Sequence, residues 1–451
     1  MIVLSLILGL IPFFSIYSAA TPLIESVTAF NNKIEVVAHQ SFADLYLRKS
    51  EFFVEYYNQD DLQLQNLPES INTIPFILCA IPAIWFSGKT YTIETMDKDL
   101  YDSLKKIQHV FKIFYPKFKW DGKLIPKKLE KNYLHKTKKK NKIGVLFSGG
   151  LDSVCTSFAH LDKQQLLLTI RGCDVPLGKT EKWFNVVDQV NEFAHTYGHE
   201  VAYIGFNFYG ILNRPYFSRK MGNWWAKTSG SLSHAGLVAP LLYAKGYKHL
   251  RFASSNTIDC PRPFGNHPLI DNNLLFSSIT VQHDGGTLTR PEKVQLIYKQ
   301  AKKNNVPLPV LRVCRRDKDG RNCGNCFSKC LLTMNNILAA GYDYKDFGFD
   351  IALDDLITLT KSYFVPKIEF LKSGDLWDWQ CSQKSLKKNR FFKSRSKKLD
   401  AYLQWFLQLR LDEYCKSNTA VYEKKKPFYA YLWQLAYTKD SENELLSIKP
   451  L

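Results

Sequence analysis

The sequence predicts an α/β protein whose central domain is a doubly wound parallel sheet, with an α+β unit before it and a mainly helical region after it. Short apolar runs alternate with amphipathic stretches from residue 143 to about 256. A glycine-rich turn joins the first apolar run to the first of these stretches. Composition changes on both sides of this region and divides the chain into domains at residues 1–135, 142–335 and 336–451.

The N-terminal unit combines strand-like and helix-like patterns. Residues 33–57 include the strand-like runs "KIEVVAH" and "EFFVEYY", and residues 97–114 place apolar side chains at helical spacing. That helical face is formed by Leu100, Leu104, Ile107, Val110 and Phe111. The basic stretch 127–142 has little apolar content, so we expect it to be a linker to the next domain.

The first 24 residues carry no charged side chain, which is typical of a membrane span or of the apolar part of a signal peptide. A signal peptide would begin with basic residues, which this segment lacks, although "YSAA" could serve as a cleavage site. We therefore expect a buried apolar segment, or a start set too early, in a cytoplasmic protein. A membrane anchor or an exported chain is the alternative.

The central domain should contain four strands separated by helices. Apolar runs predict the strands at residues 143–147, 164–170, 201–206 and 249–255. The stretches between them predict helices at residues 151–161, 180–198 and 231–247. This alternation is typical of a parallel sheet.

The C-terminal region is basic and aromatic. One helical face is predicted from Leu399, Tyr402, Leu403, Phe406 and Leu409, preceded by the basic stretch 387–398. The pattern favours a docked amphipathic helix with a solvated basic approach, and contact with nucleic acid or an acidic partner is the alternative. The 61 Lys and Arg against 42 Asp and Glu give a net charge of +19, which favours polyanionic partners.

The glycine-rich turn has the sequence "SGGLDS", residues 148–153, at the carboxyl end of the first predicted strand. Ligands bind at that edge of parallel sheets, and glycines let the backbone approach them closely. The N–H groups of a helix start and the two serine hydroxyls can donate to phosphate oxygens. The sequence therefore predicts a phosphate site at Ser148, Gly149, Gly150, Leu151, Asp152 and Ser153. Since a carboxylate repels phosphate, Asp152 is expected to act through Mg²⁺.

Four cysteines lie close together in the stretch "CRRDKDGRNCGNCFSKC". Thiolates bind zinc tetrahedrally, and two ligands separated by two residues can fold around one ion where Gly324 permits the turn. The pattern predicts a zinc site at Cys314, Cys323, Cys326 and Cys330. Disulfides or free buried thiols are the alternative, favoured if the N-terminal segment is an export signal.

"SGGLDS" after an apolar strand resembles the SGGxDS motif of the PP-loop N-type ATP pyrophosphatases. The resemblance implies a fold of the adenine nucleotide alpha hydrolase type that binds the pyrophosphate part of ATP. It also implies a reaction in which an acceptor oxygen is adenylated, pyrophosphate leaves, and a nucleophile displaces AMP.

With the cysteine pattern, the segment 142–335 is most similar to 7-cyano-7-deazaguanine synthases of queuosine biosynthesis, with one extra residue in the last cysteine gap. "ASSNTIDCPRP" resembles that family's G-x-N-x-x-D segment with Ser254 replacing the glycine, and "TRPEKVQLI" resembles its lysine-bearing helix start. The match implies that Lys293 lies near the ATP phosphates, and that Asn256 and Asp259 lie near the substrate. Asp259 could instead be a cap, and Arg290 is either a phosphate contact or a surface charge.

Three hypotheses follow. The first is an ATP-dependent ligase that adenylates a carboxylate or carbonyl oxygen for attack by ammonia or an amine, with Asp152, Lys293 and Asp259 as catalytic residues and ATP, Mg²⁺ and Zn²⁺ as cofactors. The second is an enzyme of the same chemistry that modifies tRNA or DNA, which it would bind through its basic segments, or that acts in an anti-phage system. The third is a non-catalytic ATP sensor acting with a partner protein. The identity of the acceptor, small molecule or macromolecule, is not predicted.

Overall fold

A computed structural model describes residues 20–134, 142–314, 322–364, 368–389, 396–415, 420–438 and 441–448. The strands, in chain order, are β1 (Thr21–Pro22), β2 (Ile24–Phe30), β3 (Lys33–Ala38), β4 (Glu51–Tyr57), β5 (Thr90–Asp97), β6 (Lys123–Glu130), β7 (Lys142–Leu146), β8 (Gln164–Arg171), β9 (Glu200–Phe206), β10 (His249–Ala253), β11 (Leu275–Phe276) and β12 (Ile279–Asp284).

The α-helices, in chain order, are α1 (Gln40–Tyr46), α2 (Glu69–Asn72), α3 (Ile74–Ser87), α4 (Lys98–Phe114), α5 (Leu151–Ala159), α6 (Thr180–Tyr197), α7 (Phe208–Ile211), α8 (Arg214–Met221), α9 (Gly230–Ala244), α10 (Pro268–Asp271), α11 (Arg290–Asn304), α12 (Leu332–Ala340), α13 (Leu353–Phe364), α14 (Ser373–Lys388), α15 (Lys397–Gln408), α16 (Ala420–Leu435) and α17 (Ser441–Ser447). Two π-helical turns, Trp225–Ser229 and Phe327–Leu331, precede α9 and α12.

The main sheet has nine strands within the described residues, in the order β11-β12-β10-β7-β8-β9-β4-β3-β2. The five strands from β12 to β9 pair in parallel. The outer strands β11, β4, β3 and β2 pair antiparallel with their neighbours. The protein is therefore of the α/β class, but its main sheet is mixed where a parallel one was predicted. A second, three-stranded sheet, β1-β5-β6, is parallel.

The main sheet crosses the domain boundary predicted near residue 135. β4 pairs with β9, with Val54 opposite Phe206. The physical reason is that β9 would otherwise present unpaired N–H and C=O groups at an open edge, which β4 covers. The N-terminal strands β2, β3 and β4 are thus an extension of the central sheet.

The two faces of the central strands pack into different cores. Leu166 and Leu168 of β8 join one core with helices α3 and α9, whereas Leu167 joins a second core with α5 and α6. This alternation is the period of two expected for a strand covered on both faces. The predicted central strands and helices are confirmed, with bounds that differ by up to three residues.

The predicted N-terminal helix is confirmed as α4, which buries all five residues of the predicted face. The basic linker prediction is wrong at its start, because residues 127–130 belong to β6, which pairs in parallel with β5. Strand pairing there overrides a composition that is mostly polar. Residues 135–141 of that stretch, like residues 1–19 of the apolar segment, lie outside the described residues. Among the described residues, no helix combines the length and apolarity that a membrane crossing requires.

The C-terminal region packs against the central domain. Tyr402, Leu403 and Phe406 of α15 are buried in the second core, as the predicted helical face requires. Trp433 of α16 packs against the region around β12, where its ring meets the buried rings of His267 and His283 edge to face. The C-terminal helices are therefore part of the structure that surrounds the sheet.

Candidate functional site

The glycine-rich turn of residues 148–153 joins β7 to α5, as predicted, and its last three residues form the first turn of α5. Gly149 adopts a φ of 73°, in the left-handed region that glycine enters without strain. Gly150 is the residue before α5, and no side chain caps this helix end within the described residues. The first N–H groups of α5 therefore remain available to an anion.

The serine hydroxyls of the turn bond within the turn. The Oγ atoms of Ser148 and Ser153 lie 3.2 Å apart, and Ser153 Oγ donates to the carbonyl of Gly150 at 3.1 Å. The N–H of Ser148 donates to Ser153 Oγ at 3.2 Å. These bonds hold the backbone of the turn in its bent form.

Arg312 fixes the turn from the other side, and the sequence did not predict this. Its N–H donates to the carbonyl of Gly149 at 2.7 Å, and its guanidinium donates to the carbonyl of Ser148 at 3.0 and 3.2 Å. A Cβ on Gly149 would lie 3.2 Å from the Cβ of Arg312. A Cβ at position 149 would therefore crowd Arg312, in addition to the backbone strain that the positive φ of residue 149 imposes on any residue except glycine.

Gly149→Ala should lower the free energy of unfolding by about 1–2 kcal/mol, because alanine is strained at positive φ. Gly178→Ala is the matched control, since a Cβ there meets no atom within 4 Å. Urea unfolding of both variants tests this. Equal stability of the two variants would contradict the geometry of the turn.

The side chain of Asp152 bonds to a buried lysine. Lys293 Nζ donates to Asp152 Oδ1 and to the carbonyl of Ser254, each at 2.6 Å, and Lys293 is only 2% exposed. Burial raises the pKa of Asp152, but the nearby charges of Lys293, Arg290 and Lys329 outweigh it and hold this pKa below its ordinary value. The structure therefore brings together an ionised Asp152 and Lys293 beside the turn.

Arg290 meets a carboxylate from the C-terminal region. Its guanidinium forms an ion pair with Asp378 of α14, although 88 residues separate the two in the chain. Burial raises the pKa of Asp378 above its ordinary value, an effect that the charge of Arg290 opposes and the charge of Asp152 reinforces. Asp378 is a second site residue that the sequence did not predict, because only tertiary packing brings α14 to the start of α11.

A cavity of about 310 Å³ opens beside the turn, within the size range of ligand sites. Its walls include Ser148, Gly150, Leu151, Asp152 and Ser153 from the turn. Four cationic side chains and two carboxylates also line it: Lys182, Arg290, Arg312 and Lys329, with Asp152 and Asp174. The cavity thus offers excess positive charge next to the N–H groups at the start of α5, which no side chain of the described residues caps. This arrangement suits an anionic ligand.

The predicted substrate segment reaches this cavity only in part. Ser255, which follows β10, lines it, whereas Asn256 and Asp259 do not, and Asp259 is exposed. His234 of α9 does line the cavity, and burial lowers the pKa of its imidazole. His267 and His283 are buried under Trp433 and are not among the cavity residues.

The four predicted metal ligands come together. The Sγ atoms of Cys314, Cys323, Cys326 and Cys330 all lie within 4.8 Å of one another, and those of Cys323 and Cys330 are 3.8 Å apart. Sulfurs arranged tetrahedrally about 2.3 Å from a zinc ion would be about 3.8 Å apart. The separation excludes a disulfide between Cys323 and Cys330, whose sulfurs would be about 2 Å apart.

The electrostatics of the cluster also suit a metal. The Cys326 sulfur accepts hydrogen bonds from the thiol of Cys330 and, at 3.3 Å, from the N–H of Cys330. These bonds lower the pKa of the Cys326 thiol to about 5. A thiol with this pKa is ionised at neutral pH, and the thiolate is the form that binds metal. Gly324 has a φ of 72°, which provides the predicted turn. The cluster could hold a metal such as zinc.

The cysteine cluster and the turn of residues 148–153 are neighbours in space. Cys314 lines the cavity, and so do Ser328 and Lys329 from the π-helical turn that contains Cys330. Asn322 Oδ1 accepts from the N–H groups of Val313 and Cys314, at 3.0 and 3.2 Å. The segments that carry the cysteines therefore form one wall of the cavity.

Comparison of the chain with protein-family models, with curated proteins and with solved structures finds no match.

Proposed function

We propose that the protein is an ATP-dependent, AMP-forming ligase that activates a carboxylate or carbonyl oxygen for attack by ammonia or an amine. The observation that carries the proposal is the uncapped, glycine-bent turn of residues 148–153, which opens onto a cavity lined by four cationic side chains. A polyphosphate chain complements such a surface.

We further infer a doubly wound fold of the adenine nucleotide alpha hydrolase type. Read across the sheet as β9-β8-β7-β10-β12, the parallel strands have the chain order 3-2-1-4-5. In that order the ligand site is expected between the first and fourth strands, where the connections change direction. The turn follows β7, and Ser254 and Ser255 follow β10, so both flank that position.

In this proposal the N–H groups at the start of α5 bind phosphate oxygens of ATP, and Arg312 keeps the turn in its binding form. The Lys293 ammonium holds Asp152 in place and keeps it ionised. Asp152, with one oxygen bonded to Lys293, is the residue that would hold Mg²⁺, which supplies charge neutralisation on the polyphosphate. The cysteine cluster has a structural role.

The proposed reaction has two steps. An acceptor oxygen attacks the α-phosphorus, the bond between this phosphorus and the bridging oxygen breaks, and pyrophosphate leaves with the electron pair. Ammonia or an amine then attacks the activated carbon, and AMP leaves. The region of Ser255 and His234 is the wall of the cavity available to the acceptor, whereas exposed Asp259 is better explained as a surface residue.

An exchange assay tests the proposal. Purified protein is incubated with ATP, Mg²⁺, ³²P-pyrophosphate and a panel of carboxylates and carbonyl compounds, including a small-molecule fraction of a cell extract. We expect acceptor-dependent incorporation of label into ATP, because adenylation is reversible. ADP and phosphate as the sole products would contradict the proposal, and nucleotide binding without exchange with any acceptor would favour the sensor hypothesis.

A nucleic acid acceptor is the second candidate. The chain carries a net charge of +19, and the described lysines of the basic stretch 387–398, namely Lys387, Lys388, Lys397 and Lys398, are exposed. Of these, Lys398 is paired with Asp354. A gel-shift titration with tRNA at low and high salt tests this candidate: retardation should weaken as salt rises, and unchanged mobility at low salt would exclude it.

A further inference from the structure

The chain joins the described structure at one end of the three-stranded sheet β1-β5-β6. Strand β1 starts at Thr21, which lies opposite Tyr91 of β5. Thr90, the first residue of β5, lies opposite Lys123, the first residue of β6. Because the three strands are parallel, their first residues lie at the same end of the sheet. The segment 1–19, which carries no charged side chain, therefore meets the folded chain at this end.

Four exposed lysines lie at the same end of this sheet, which we call the lysine end. Lys89 directly precedes β5, and its carbonyl accepts the N–H of Lys123 at 2.8 Å. Lys117 and Lys119 lie in the turn that leads from α4 to β6. All four side chains are exposed, and none of them forms an ion pair with a residue that the structure describes.

The positive charge of the lysine end is not cancelled by its surroundings. Asp121, the acidic residue of the turn between α4 and β6, is already paired with Lys112 at 2.8 Å. Ile125 follows Lys123 by two residues, on the same face of β6, and is 44% exposed. Along the sequence, the first basic residue after the segment 1–19 is Lys33. The fold therefore brings to this segment the basic neighbours that its own flanks lack.

We propose that the protein docks on an anionic lipid bilayer, with the segment 1–19 inserted in the apolar core and the four lysines of the lysine end against the headgroups. A run of about 20 apolar residues matches the thickness of that core. Each lysine near an anionic membrane surface strengthens binding by roughly fivefold. Lysines on the C-terminal side of the segment also favour placement of the folded part on the cytoplasmic side, where ATP is present.

Reconstitution of the full-length protein tests the insertion. The protein is transferred from detergent to phosphatidylcholine vesicles, which are floated and washed with alkaline carbonate to remove proteins bound only at the surface. Wild type should stay with the vesicles. Leu10→Asp combined with Phe13→Asp should be released, because charged side chains are costly in the apolar core. Phe30→Asp combined with Leu45→Asp, at exposed apolar positions of the described chain, is the matched control and should stay bound. Release of wild type by the wash would overturn the insertion.

Amine labelling of wild-type protein tests the headgroup contact without a variant. In vesicles that contain phosphatidylserine, mass spectrometry should find the four lysines of the lysine end labelled several-fold more slowly than in phosphatidylcholine alone. High salt should remove this protection, since it screens exposed charges. The exposed reference lysines should be labelled equally in both vesicles: Lys299, Lys302, Lys303 and Lys345. Equal labelling of the lysine end in both vesicles, or its protection by tRNA and not by lipid, would overturn the contact.

The lysines are weighed separately from the segment in the chain that carries Leu10→Asp and Phe13→Asp. Its remaining binding to phosphatidylserine vesicles should weaken by about 100- to 1,000-fold when all four lysines of the lysine end are replaced by glutamine. Glutamine at the four reference lysines changes the net charge equally and should leave this binding within a few-fold of its parent. Equal losses in the two sets would show that net charge, and not the lysine end, governs binding, and would overturn the inference.

Discussion

Asp152→Asn is expected to lower the free energy of unfolding by about 3–5 kcal/mol, the cost of leaving one partner of a buried ion pair without its counter-charge. The partner here is Lys293, whose side chain is only 3% exposed. Its remaining bond to the carbonyl of Ser254 does not neutralise the ammonium. The same change should also abolish AMP formation, because it removes the carboxylate proposed to hold Mg²⁺.

A double-mutant cycle separates the ion pair from other effects. Asp152→Asn combined with Lys293→Met should be more stable than Asp152→Asn alone, since methionine removes the unpaired buried charge. Asp188→Asn, at an exposed position on α6, is the control and should change stability by less than about 0.5 kcal/mol. A double variant no more stable than the single one would show that Lys293 and Asp152 are not coupled.

The pH dependence follows from the same pair. The pKa of Asp152 is lower in the folded protein than in the unfolded chain, so its contribution to stability is present above the unfolded value of about 3.9 and is lost as the pH falls through the folded value. The difference in stability between wild type and Asp152→Asn should therefore be large at pH 7 and shrink below about pH 4. A difference that stays constant over this range would contradict the ionised state assigned to Asp152.

Cys326→Ser should release the metal and destabilise the protein by several kcal/mol, since binding of a structural zinc ion is worth about 10–16 kcal/mol in small peptides and a serine hydroxyl is a poor ligand. Cys326 is the thiol with the lowered pKa, about 5, and its Sγ accepts the N–H of Cys330. Loss of the Cys326 thiol, and of the metal it binds, should loosen the cavity wall that carries Ser328 and Lys329.

Metal analysis and thermal unfolding measure this effect. Wild type should contain one zinc per chain and lose stability when a chelator removes it. Cys79→Ala, on buried helix α3 and outside the cluster, is the control and should keep its metal. Full metal content in Cys326→Ser would show that the four cysteines are not the ligand set.

The elements of the central domain could be predicted because their signals are local. The apolar run of β8 and the glycines of the turn each span a few residues, and the four cysteines lie within one short stretch, residues 314–330. The structure places all three features as expected. The pairing of Lys293 with Asp152 joins two of the residues predicted as catalytic.

The rest depends on contacts between distant parts of the chain. Nothing in the sequence around Asp378 distinguishes it from other acidic residues of amphipathic helices, and it reaches Arg290 only because α14 packs beside α11 and α12. Arg312 lies next to a basic stretch with no periodicity, so its bonds to Ser148 and Gly149 could not be anticipated. The pairing of β4 with β9 is decided by an open sheet edge, which no local pattern reveals.

The most direct test of the central claim is a crystal structure of the protein with α,β-methylene-ATP and Mg²⁺. We expect the phosphates to lie against residues 148–153, within hydrogen-bond distance of the N–H groups that begin α5, and the ion to contact Asp152. A nucleotide bound elsewhere on the molecule, or phosphates directed away from this turn, would contradict it.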